Sequence, residues 1–141
     1  MKVTLGNKEY TVQFGFKPTL QSGLIADVVK MENLDESDIN SIQEILLMTP
    51  KVLLVGLQTH HSDEFGYDCK TKEGYDDQYD KVFSILSENV DSGDINCIDL
   101  LGDLISELEE NSFLSQMMEK ERKTQTPAKK ATPKKTTSKQ N

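Results

Sequence analysis

His60-His61-Ser62-Asp63-Glu64, with Cys69 a few residues on, is the one place where this chain gathers side chains able to hold a metal or move a proton. Neighbouring positions on a helix point about 100° apart, so the two histidines do not converge on one ion. The His-Glu-x-x-His spacing of zinc hydrolases is missing, as is a paired Cys-x-x-Cys. The cluster reads as the polar end of a helix entering a loop, where histidines suit the negative end of the helix dipole. Asp63, Glu64, Asp68, Glu73, Asp76, Asp77 and Asp80 lack the alternate-position spacing, central glycine and closing glutamate of a calcium loop. They read as a solvated face and as charges at a helix N-terminus. The stretch from Gly15 to Gly23 lacks the closing Gly-Lys-Ser/Thr of a phosphate loop, and Gly-x-Ser-x-Gly does not occur. No catalytic, cofactor-binding or metal-binding residue can be assigned, and the chain is read as a non-enzyme.

What remains is the chemistry of adhesion. Phe113, Leu114, Met117 and Met118 form a narrow apolar strip on a terminal helical segment. Such a strip either closes the core or meets a partner, and methionine adapts to varied apolar surfaces. Beyond it, residues 123–141 carry six lysines, no acid and no large apolar side chain. That composition buries too little to offset the entropy of ordering, so the segment is expected to be disordered. Lys129-Lys130 and Lys134-Lys135 suit sequence-blind contact with phosphates, and no aromatic in the tail offers base stacking.

The tail sets off the rest of the chain. Residues 1–122 hold all 24 acids against ten lysines and arginines, a net −14, while the tail adds +6. An acidic body repels a phosphate backbone, so any nucleic-acid contact falls to the arm. About 120 residues suffice for one core. No apolar run approaches the ~20 residues of a membrane span, and no secretory leader follows Met1. Cys69 and Cys97 fit a reducing compartment as free thiols.

The elements that position these residues follow from hydrophobic period. Lys2 to Phe14 alternates with a period of two around Gly6-Asn7, which predicts a β-hairpin. Helices are expected from Pro18 to about Met31 (Leu20, Leu24, Ile25 and Val28 inward), from Ser37 or Asp38 (Ile39, Ile42, Ile45 and Leu46 inward), and from Lys51 to about Thr59 after a break at Thr49-Pro50. The Val52–Leu57 run is apolar nearly all round and should be the most buried. His60 to Gly74 is expected to be an exposed loop. Two more helices are expected: Tyr75 to about Asn89, with Phe83 on its apolar stripe, and one through Ile98, Leu101, Leu104, Ile105 and Leu108 to Glu110, recapped at Ser92-Gly93-Asp94. The predicted fold is α+β, mainly α: a hairpin packed on about five helices over residues 1–122, then the basic tail.

The opening Met-Lys-Val-Thr-Leu-Gly-Asn-Lys-Glu-Tyr-Thr-Val-Gln-Phe-Gly-Phe, followed by a small acidic helical domain and a lysine-rich end, resembles the tail assembly chaperones of long-tailed siphophages, especially those of Gram-positive hosts. The motif proper covers residues 1–16, and the arrangement covers most of the body. The resemblance implies a non-enzymatic protein of the host bacterial cytoplasm, not retained in the mature virion. Such a protein coats the tape-measure protein, keeps it soluble and supports tail tube polymerisation. It also implies homo-oligomers and a longer form, made by ribosomal frameshifting, that recruits the tail tube protein; an A-rich slippery site would fit the codons of Lys129-Lys130 or Lys134-Lys135. The alternative from the residues alone is a small nucleic-acid-associated protein acting through its basic arm.

Overall fold

The computed structural model describes residues 1–35 and 37–117. Strands β1 (Lys2–Leu5) and β2 (Lys8–Thr11) form an antiparallel hairpin in which Val3 faces Tyr10 and Leu5 faces Lys8. The two-residue turn works because Gly6 takes a φ of +66°, which needs no Cβ; Asn7 stays out of that region. Val3, Leu5, Tyr10, Val12 and Phe14 point inward, while Lys2, Thr4 and Lys8 face out. After β2 the chain runs on against a helix rather than a strand, and the Gln13 amide donates to the Gly56 carbonyl at 2.9 Å.

Five helices follow: α1 (Phe16–Gln21), α2 (Leu24–Glu32), α3 (Ile39–Phe65), α4 (Tyr75–Asp91) and α5 (Cys97–Glu110). Residues 113–117 are helical again. The fold is therefore mainly α with an N-terminal hairpin, as the sequence predicts, but the helix boundaries differ in two places. The single helix expected from Pro18 is cut in two by Gly23, whose φ of +76° ends α1 and starts α2. The two helices expected on either side of Thr49-Pro50 are one, since α3 continues through Pro50. A proline inside a helix removes one N–H bond. Here its ring is buried and packing on both sides keeps the helix intact; one turn away the Tyr79 hydroxyl donates to the Leu47 carbonyl at 3.0 Å.

Helix α3 is the axis of the molecule. Val52 to Leu57 are buried without exception, and α1, α2, α4, α5 and β2 all contact this helix. The side chains of Leu53, Leu54 and Leu57 are inaccessible; truncating one to alanine costs about 2–5 kcal/mol in such a core. Gly56 lets the hairpin come close: a Cβ there would stand 2.6 Å from Val12 and 3.2 Å from Phe14. The expected 60–74 loop is shorter than predicted. Helix α3 kinks at His61, close to the expected end near Thr59, and helical turns then continue to Phe65, which is fully buried, with Cys69 buried beyond it.

Several residues assigned to the core by their spacing lie outside it. Ile39, Ile42, Leu20, Ile98 and Phe83 are exposed, Ile39 by 78% and Ile98 by 54%. The recap before α5 is Asn96, whose side chain accepts from the Asp99 amide at 3.1 Å, rather than Ser92-Gly93-Asp94.

Candidate partner-binding surfaces

The histidine cluster holds the hairpin. His61 departs from helical geometry inside α3 (φ −131°, ψ 32°), and its Nε2 accepts from the Thr11 amide at 2.9 Å at the end of β2. That nitrogen must be unprotonated to accept, which places the ring proton on Nδ1. His60 Nε2 meets Gln13 Oε1 at 2.6 Å. Glu64 accepts from Lys8 at 2.6 Å and from the Tyr10 hydroxyl at 3.1 Å. The Lys8 hydrogen bond, ahead of the Tyr10 bond, holds the Glu64 carboxyl below its usual range. Phe65 packs edge-on against Tyr10, with ring centroids 5.5 Å apart, and the His61 ring meets the same tyrosine at 5.0 Å. Among the described residues no three His, Cys, Asp or Glu side chains gather as a cation site would require. The Tyr67 phenol, pushed far above its ordinary value first by burial and then by Cys69, stays neutral and is no base.

The terminal strip divides. Phe113 is half-buried and stacks edge-to-face on Phe16, with centroids 5.0 Å apart. Leu114 is half-buried against the core, and its amide donates to Ser112 Oγ at 3.1 Å, which starts the 113–117 turn. Met117 is 60% exposed. Met118, Lys129, Lys130, Lys134 and Lys135 lie outside the described residues. Phe16, itself 63% exposed, extends this surface from the other end of the chain. Nothing in local spacing pairs Phe16 with Phe113; only the fold brings them together.

Two further apolar openings went unread in the sequence. One, of about 250 Å³, lies between α3, α4 and the start of α5, lined by Leu46, Leu47, Pro50, Phe83, Leu86 and Val90 among others. The other, of about 700 Å³, lies between the end of α2, the first half of α3, and α5. Its walls include Ile45, Ile98, Leu101 and Ile105, which periodicity assigns to the core. The one signal in the sequence was Gly102, a residue costing about 1 kcal/mol relative to alanine inside a helix. Gly102 is exposed in the middle of α5 and lines this groove.

No described helix is long and apolar enough to cross a membrane. Comparison of the chain with protein-family models, curated proteins and solved structures returns no match.

Proposed function

We propose that this chain is a tail assembly chaperone of the siphophage type, which coats the helical tape-measure protein and keeps it soluble while the tail tube grows. The observation that carries the reading is a small acidic body with several separate apolar side chains left open to solvent: Phe16 beside Phe113, Leu47 with Phe83, and Ile98 beside the half-buried Ile105. Supporting it, the residues of the opening motif are used structurally as a hairpin, with Tyr10, Val12 and Phe14 in the core.

The physics suits that task. Long helices with apolar stripes aggregate unless covered. Many copies of a modest binder along one partner gain avidity without tight single contacts, and can still leave. An acidic exterior keeps the assembly dispersed. On this reading tail tube subunits are recruited by a longer form, and the chain self-associates through its apolar helix faces.

The test is co-expression with the tape-measure protein, which this reading expects to be a long helical protein encoded nearby. The soluble fraction of that protein should rise severalfold; an unchanged soluble fraction removes the reading. In the gene, a slippery heptamer with an overlapping frame near the lysine pairs is the matching expectation.

A further inference from the structure

The groove between α2, α3 and α5 has a chemistry that specifies an occupant. Its apolar walls are Met31, Leu34, Ile45, Ile98, Leu101 and Ile105, and Gly102 interrupts the α5 wall. Nothing lies within 4 Å of where a Cβ on Gly102 would stand, so another backbone can approach α5 closely at that point. Along α5, Ile98, Gly102, Ile105 and Glu109 fall on one stripe of three turns, roughly 16 Å long at the helical rise. Glu32 and Asp35 stand on the opposite wall, and no residue lining the groove is basic. At the end of the stripe burial, then the neighbouring Glu32 and Glu110, pushes the Glu109 carboxyl upward, so a cation there would relieve a like-charge cluster.

We infer that this groove receives one amphipathic helix of a partner protein, with its apolar stripe over Ile98, Gly102 and Ile105 and with lysine or arginine beside that stripe to meet Glu32, Asp35 and Glu109. The chain's own residues 123–141 bring the positive charge but no large apolar side chain to fill the walls. A second copy brings a body of net −14 against an acidic rim. A basic amphipathic helix satisfies both features. The inference rests on the proposed function only for the partner's identity; the groove's chemistry is tested without it.

The probe is a fluorescein-labelled 18-residue helical peptide with leucines at i, i+3, i+4 and i+7 flanked by lysines, titrated into the full chain by anisotropy. Beside it run the same stripe flanked by glutamates and a peptide of residues 123–141. The lysine-flanked peptide should bind at least tenfold tighter than either. Gly102→Leu should weaken it at least tenfold while leaving the melting temperature unchanged or higher, because the new side chain enters open space on a helix. Ile98→Ser, at an exposed position, supplies a second variant and should weaken binding severalfold. Equal binding to the Gly102→Leu protein, equal binding of the glutamate-flanked or 123–141 peptide, or a wild-type dimer that Gly102→Leu dissociates would each overturn the assignment. If Gly102→Leu blocks the peptide but still solubilises the long partner in co-expression, this groove is not the gripping surface, and the chaperone reading stands without it.

Discussion

At Gly56 a single hydrogen atom decides whether the hairpin can sit on α3. Alanine normally strengthens a helix, but here its methyl would press on Val12 and the Phe14 ring. Gly56→Ala should therefore destabilise by about 1–3 kcal/mol, the scale of overpacking, with the shift read by denaturant unfolding. Glu109 makes the converse case. Its folded-state pKa lies above the ordinary 4.5, so the folded protein holds that proton more firmly than the unfolded chain. Stability from this group is present at acid pH and lost as pH rises through the raised value. Glu109→Gln should accordingly raise the melting temperature at pH 7 and lose that advantage by about pH 4. The sequence shows Glu109 only as one more acid in an acidic chain. Its significance comes first from burial and then from Glu32 on another helix, and no local pattern shows either.

The elements were legible where one local rule governed them. Alternation around Gly6-Asn7 identified the hairpin, and the apolar run 52–57 identified the buried axis. The errors came where a local signal met tertiary packing. Pro50 reads as a break, yet α3 passes through it, with Thr49, Pro50 and Val52 to Leu57 all buried in a helix that five other elements contact. Gly23 reads as a mild defect within a helix, yet it takes a left-handed conformation and ends one. These glycines give a paired prediction. Gly23→Ala should cost about 1 kcal/mol, since φ there is +76°. Gly102→Ala, in regular helix with free space above it, should gain up to about 1 kcal/mol. Thermal unfolding of the two variants should move in opposite directions. The site was less legible than the fold because each apolar opening is walled by two or three elements. Ile98 and Ile105 carry the right period for a core stripe, and period cannot tell a stripe covered by its own fold from one left open.

For the whole molecule, charge and apolar surface are the two means of holding a partner, and ionic strength separates them. The described body is acidic, and its groove between α2, α3 and α5 is apolar with an acidic rim; the six lysines of residues 123–141 lie beyond it in the sequence. If the arm did the holding, its six lysines would pair with acidic groups of the partner, and those exposed ion pairs would be screened steeply as salt rises. If apolar helix faces do it, salt screens only the rims. The most direct measurement is the dissociation constant of a purified complex between this chain and the tape-measure protein that the proposed function assigns to it, taken at about 0.1 M and about 0.5 M salt, a range over which the screening length falls by about half. The account predicts that the affinity weakens by less than tenfold; a loss of a hundredfold or more would contradict it.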